Sequence, residues 1–452
     1  MIHANLSPAP HMNARAWITV VISLAIVGCK IGGKYSVGGT LTGLMGQGLV
    51  LENNLSNDLR VSSNGAFVFS RGIRNGESYS VTVKTQPSNP SQTCTVHNGS
   101  GTIHKTDVTS IIVSCTRSGR FAYVANQLSN NVSGFSIDSA SGFLTTIAGS
   151  PFPASGTAPV ALVVDPNGRF LYVVGKGSND VAVYGIDSST GALTSAGTAL
   201  ATGSAPDAVA VDPAGSYLYV ANFSSNNISA FAINAATGRL TEVSGSPFAT
   251  GAEPSSLKID PNASFLYVSN FGGNNVDVLA IDPATGALSR VPGAPFASGV
   301  GPVSIAIDPA GAFAYVANGT AATISEYSIN ASTGGLASVS GSPLATITSP
   351  ESLVVDPAGR YLYAANVTAK NHVATYAITP GSGALASLGS PIAAGILPTS
   401  IVLDPSGLFA YIANDNSNDV SVYAVDAANG ALTQVAHSPV SAGNEPRAVA
   451  ID

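Results

Sequence analysis

A 48-residue period from Phe121 to the C-terminus leaves this chain few architectures to adopt. Copies of one unit start at Phe121, Phe170, Tyr217, Phe265, Phe313, Tyr361 and Phe409, spaced by 49, 47, 48, 48, 48 and 48 residues. Each copy holds four runs of four to eight residues rich in Val, Ile, Leu, Tyr and Phe; in the fourth they are SSLKID, FLYVSN, NVDVLAID and GALSRV. Short apolar runs bounded by turn residues favour strand over helix. A fixed period of about 40–50 residues made of four such strands reads as one propeller blade.

The turns repeat as faithfully as the strands. D-P-x-G occurs at Asp165–Gly168, Asp212–Gly215, Asp308–Gly311 and Asp356–Gly359. There proline presets φ, the Asp carboxylate accepts a backbone N–H, and Gly tolerates the exit geometry. A second turn, as in Asp187-Ser188-Ser189-Thr190-Gly191 and Asp282-Pro283-Ala284-Thr285-Gly286, places Gly at the positive-φ position of a hairpin between the third and fourth strands.

The phase of the repeat predicts how the ring closes. The first unit opens at its second strand, Phe121–Val124, and the chain ends on an inner strand, Pro446–Asp452, with no second strand after it. The C-terminal strand is therefore expected to complete the first blade and to cover two open sheet edges. The fold class expected is all-β: a seven-bladed propeller over 119–452, preceded by a small β-sandwich over 33–117 and a signal segment over 1–29.

Charge is divided unevenly. Residues 1–118 carry 9 Lys/Arg against 4 Asp/Glu, a net of +5, whereas 119–452 carry 9 against 21, a net of −12. A propeller this acidic repels phosphate backbones, which argues against nucleic acid as a partner. Only 10% of residues are charged and 48 are Gly, as expected of a turn-rich protein outside the cytoplasm.

At the N-terminus Arg15 precedes the apolar run Trp17–Val27, which is too short to span a bilayer and reads as an export signal. Met12 or Met1 can serve as its start. Ile26-Val27-Gly28-Cys29 resembles a bacterial lipobox. That resemblance implies lipidation of Cys29, a membrane partner reached through the lipid, and, with Lys30 next, an outer-membrane or periplasmic address. With Cys29 so used, Cys94 and Cys115 remain as a disulfide pair in an oxidising compartment. His97 and His104 lack ligand spacing to these cysteines, and no metal is expected there. Between Tyr35 and Thr116 seven strand-like runs lack the 48-residue period. They read as a β-sandwich that resembles the immunoglobulin-like modules ahead of bacterial envelope propellers, a spacer between anchor and ring. Thr116-Arg117-Ser118-Gly119 leaves almost no linker between the two.

The sequences at Phe121–Asn126, Tyr217–Asn222 and Phe313–Asn318, followed by N-x-V-S-x-Y/F and I-D-x-x-T-G-x-L, resemble the YVTN repeat of lactonase-like seven-bladed propellers. The resemblance covers 119–452 and rests on packing and turn residues, so it speaks for fold before activity. It implies either hydrolysis of 6-phosphogluconolactone or a related lactone, or binding and scaffolding at the cell surface. In the family, hydrolysis is associated with His, Arg and Glu where the inner strands begin, at the channel mouth.

In this chain those entrances read Ala158-Pro159-Val160, Ala205-Pro206-Asp207, Glu253-Pro254-Ser255, Gly301-Pro302-Val303, Ser349-Pro350-Glu351, Leu397-Pro398-Thr399 and Glu445-Pro446-Arg447. The candidate ligand residues at the mouth are thus Asp207, Glu253, Glu351, Glu445 and Arg447, with Glu253, Glu351 and Arg447 converging in the sharpest form of this reading. No His stands among them, and His372 and His437 read as turn residues. One carboxylate per D-P-x-G turn falls far short of a calcium shell, and no cofactor signature is present. The function expected from sequence is a monomeric envelope lipoprotein whose propeller binds an envelope protein or a small polar ligand. The alternative is a lactone hydrolase of the 6-phosphogluconolactonase type.

Overall fold

The computed structural model describes residues 33–44, 48–87, 92–117, 121–346, 348–367 and 371–452. The signal segment and Cys29 lie outside them. The described chain is all-β, and from Phe121 onward it forms seven sheets, each led by an inner strand hydrogen-bonded to a second, third and fourth. Inner strands neighbour one another in order around the ring and back to the first.

Closure follows the phase of the repeat. Pro446–Ile451 pairs antiparallel with Phe121–Asn126, setting Tyr123 opposite Ala450 and Val124 opposite Val449, so the chain's end is the inner strand of the first blade. The apolar cores lie between blades. The one closing the ring packs Val124 and Phe135 of the first blade with Tyr411 and Val420 of the seventh.

The repeated residues explain themselves in pairs. The third residue of each second strand is a tyrosine with no exposed surface: Tyr123, Tyr172, Tyr219, Tyr267, Tyr315, Tyr363 and Tyr411. Each hydroxyl donates to the carbonyl of the hairpin glycine of the next blade, as from Tyr123 to Gly191 at 2.8 Å and from Tyr315 to Gly383 at 2.9 Å. Burial raises the pKa of six of these phenols and keeps them as donors. The glycines have φ near +70°, and a Cβ on any of them would collide with the aromatic ring that opens the second strand of the preceding blade, Gly286 against Tyr217 for example. Gly is therefore required twice over, by conformation and by contact. In the D-P-x-G turns the buried Asp caps the corner: Asp308 accepts from the backbone N–H of Ala312 and Phe313, both at 2.6 Å.

Two four-stranded sheets precede the ring, in spatial order Gly65–Val68, Val37–Thr42, Val108–Arg117, Gln92–His97 and Asn57–Arg60, Val50–Asn53, Ser78–Thr85, Ser100–Thr102. Both feed one core that includes Val37, Leu51, Val81 and Val113. Three of the ten strands among the described residues here (Lys34–Tyr35, Ile73–Arg74 and Ser100–Thr102) are too short to leave a periodic signal, which is why the sequence displays seven. Cys94 and Cys115 occupy facing positions on neighbouring strands and are joined as a disulfide.

Candidate active site at the channel mouth

Each inner strand enters its sheet through a β-bulge. In the fourth blade Pro254 faces Asn270 and Ser256 faces Ser269, which leaves Ser255 outside the ladder. The same slip follows Pro159, Pro206, Pro302, Pro350, Pro398 and Pro446. A bulge re-aims the extra residue. Here the seven bulged residues (Val160, Asp207, Ser255, Val303, Glu351, Thr399 and Arg447) line one cavity of about 250 Å³ together with Phe223 and Phe271.

The residue just past the second strand's terminal Asn, or past Gly175 in the second blade, forms an outer rank. It is Gln127, Lys176, Phe223, Phe271, Gly319, Val367 and Asp415 in blade order. Twice a charged contact runs from this rank to the bulged residue of the following blade. Lys176 Nζ meets Asp207 Oδ1 at 2.6 Å, and Arg447 Nη1 donates to Asp415 Oδ2 at 2.9 Å. Lys176 also sits 5.3 Å from the centre of the Phe223 ring. Phe223 and Phe271 lie side by side, with centroids 6.2 Å apart and planes tilted by 39°.

Glu351 breaks the pattern. The outer residue of the preceding blade is Gly319, so nothing reaches it from the place that supplies Lys176 to Asp207. The entrance beneath it also differs. In six blades an Asn in the positive-φ turn after the second strand accepts the N–H of the residue that precedes the next blade's proline, as Asn226 does for Glu253 at 2.7 Å and Asn418 for Glu445 at 2.9 Å. In the fifth blade that position is Ala322, and Ser349 joins the ladder opposite Val367 instead. Glu351 thus has no hydrogen bond or ion pair with any described side chain. Burial pushes its carboxyl pKa upward. The pull of Arg447 opposes that shift and the charge of Asp207 adds to it.

Of the residues singled out from sequence, Asp207, Glu351 and Arg447 meet in the cavity. Glu253 and Glu445 stand on the other side of the proline with φ of 54°, and neither lines it. The side chain of Glu253 lies over Gly272 instead. His437 occupies a turn with φ of 65°. His372, in contrast, is not a turn residue: it is the first residue of the strand His372–Ile378 and is 6% exposed. Sequence reading missed Lys176, Asp415, Phe223 and Phe271. The available signal was the position after each Y-V-A-N run, which varies while its neighbours repeat.

The family described as Lactonase, 7-bladed beta-propeller, matches residues 60–252 and 250–450. Among curated proteins nothing matches. Solved structures that share the fold include the Pseudomonas aeruginosa periplasmic gluconolactonase PpgL, at 21% identity, TM-score 0.63, 73% of this chain and 98% of that one. A provisionally named 6-phosphogluconolactonase of Bacteroides uniformis reaches 21% identity and TM-score 0.66 over 74% of this chain and all of that one. Hydrazine synthase of Kuenenia stuttgartiensis, at 21% identity and TM-score 0.51, covers 67% of this chain and 92% of that chain. These identities speak to fold alone.

Proposed function

Since the chain belongs to the seven-bladed lactonase family, we propose that its mouth hydrolyses a lactone, with Glu351 as general base. Family membership favours this reading over the binding or scaffolding role expected from sequence. The observation that carries it is that Glu351 has no hydrogen bond or ion pair among the described residues. The repeat gives Asp207 and Arg447 charged partners from the outer rank, and at the corresponding place before Glu351 it has Gly319.

Burial raises the basicity of this carboxylate toward the range where it can take a proton from water. Water then adds to the lactone carbonyl, Glu351 takes the proton, and negative charge develops on the carbonyl oxygen. Arg447, fixed in orientation by Asp415, and Lys176, fixed by Asp207, are the cations available to stabilise that charge. As the ring C–O bond breaks, Glu351 returns the proton to the leaving alkoxide, giving one hydroxy acid. An address outside the cytoplasm belongs to the same proposal, supported by the Cys94–Cys115 disulfide.

The test is acid release from glucono-δ-lactone by the full-length protein, followed at constant pH. Glu351→Gln should lower kcat by about 10²-fold or more, and Arg447→Met by a similar factor. Unchanged turnover in Glu351→Gln removes the proposal.

A further inference from the structure

We infer that the lactone taken at this mouth is uncharged and carries no phosphate, and that Asp207 and Asp415 enforce the choice. The inference rests on the hydrolase reading and adds its substrate class.

A phosphate monoester is recognised by cations that are free to meet it. Among the described residues the mouth has two cations, and each already has a carboxylate beside it. Lys176 is held by Asp207 at 2.6 Å and covers one face of Phe223, and Arg447 is held by Asp415 at 2.9 Å. With Glu351 the described residues of the cavity and its outer rank hold three carboxylates against two cations. A phosphate entering here meets net negative charge, within a propeller that is itself acidic. A dianion that drew Arg447 fully to itself would compete with Asp415, whose side chain is only 8% exposed and whose Oδ1 already has no hydrogen-bond partner. A buried carboxylate stripped of its counter-ion is strongly disfavoured. Rejection of an anion by like charge is how such a site discriminates.

What the mouth offers instead is apolar surface beside acceptors. Phe223 and Phe271 present adjacent, half-buried rings on one wall, next to Ser255 and across the ring from Arg447. The C–H face of a saturated six-membered lactone buries its apolar area against such rings. Its hydroxyls then donate to the carboxylates of Asp207 and Glu351, which accept without giving up their charge.

The decisive experiment compares glucono-δ-lactone with its 6-phosphate on the full-length protein. The neutral lactone should show a kcat/KM at least ~10-fold higher. Asp207→Asn and Asp415→Asn, which each release a cation, should narrow that ratio. A wild-type protein that turns over the phosphorylated lactone equally well or better overturns the inference, as does a ratio unmoved in both variants. Should neither lactone react, the hydrolase reading falls, and the charge selection is then read from calorimetric binding of 1,5-anhydroglucitol and its 6-phosphate. Tighter binding of the neutral analogue upholds the inference, and tighter binding of the phosphorylated one refutes it. The wild-type comparisons need no variant, so a variant that fails to fold leaves the test intact.

Discussion

The Tyr411 hydroxyl donates to the Gly142 carbonyl at 3.0 Å across 269 residues of chain. It is the last of seven such bonds and the one that joins the seventh blade to the first. Removing the hydroxyl leaves a buried carbonyl unsatisfied, so Tyr411→Phe should lower stability by about 1–3 kcal/mol in urea unfolding. Gly142→Ala should do more damage, since its φ of 72° is strained for Ala and its Cβ would strike Phe409. Tyr267→Phe, the same change between the fourth and fifth blades, should match Tyr411→Phe if every joint in the ring is equivalent. A much smaller loss at either site rejects the equivalence.

Deleting Asn444–Asp452 removes the inner strand of the first blade and uncovers Phe121–Asn126. The expected result is a propeller that unfolds cooperatively at a temperature lower by ten degrees or more and aggregates through the bare edge. A truncated protein with an unchanged melting curve contradicts closure by the tail.

Glu351 should oppose stability at neutral pH while it supports catalysis. Its folded-state pKa lies above the ordinary value near 4.5 because burial penalises the charged form. The folded chain thus holds this proton longer than the unfolded chain does. Its stabilising contribution is complete below about pH 4.5 and is lost as pH rises through the folded-state pKa. Glu351→Gln should therefore unfold at higher urea than wild type at pH 7 and at a similar concentration at pH 4. The same titration places the acid limb of kcat/KM above the range of an ordinary carboxylate. A variant that is less stable than wild type at pH 7 assigns Glu351 a structural role.

Lys258 is the other misfit of the inner strands. Three residues along from Ser255, it stands where the other blades have Val163, Ala210, Ala306, Val354, Val402 and Ala450, and no described side chain hydrogen-bonds or ion-pairs with its amine. Its surroundings lower the ammonium pKa by desolvation, but the side chain is exposed to solvent, so the shift translates into little stability. The unfolded chain therefore keeps this proton to higher pH, and stability should rise with pH in the alkaline window below the ordinary lysine value. Lys258→Met should raise Tm by no more than about 1 °C near pH 7.5 and remove that rise. An unaltered Tm means the amine is hydrated well enough to cost nothing.

The ring was legible because its determinants repeat. Tyr123 and its six equivalents, the hairpin glycines and the D-P-x-G aspartates do one job each in every blade, and a fixed period exposes them. The mouth was legible only by half. The X-Pro-Y triplets located it, but nothing in a triplet says which side of the proline faces the cavity. That depends on the bulge, a register slip between strands that becomes visible only when Ser256 is seen opposite Ser269. Glu253 and Glu445 were therefore grouped with Glu351, and Lys176 and Asp415, at the ends of other strands, went unnoticed. The isolation of Glu351 was harder still to read, because it turns on the small residue Gly319 on another blade.

The bulge has an evolutionary corollary. A side chain outside the ladder can be exchanged while the sheet beneath it keeps its register, and Val, Asp, Ser, Glu, Thr and Arg already occupy this one position around a single molecule. The scaffold thus separates the residues that must stay the same for the circle to close from seven that are at liberty to change, and new chemistry can be written on the latter without rebuilding the former.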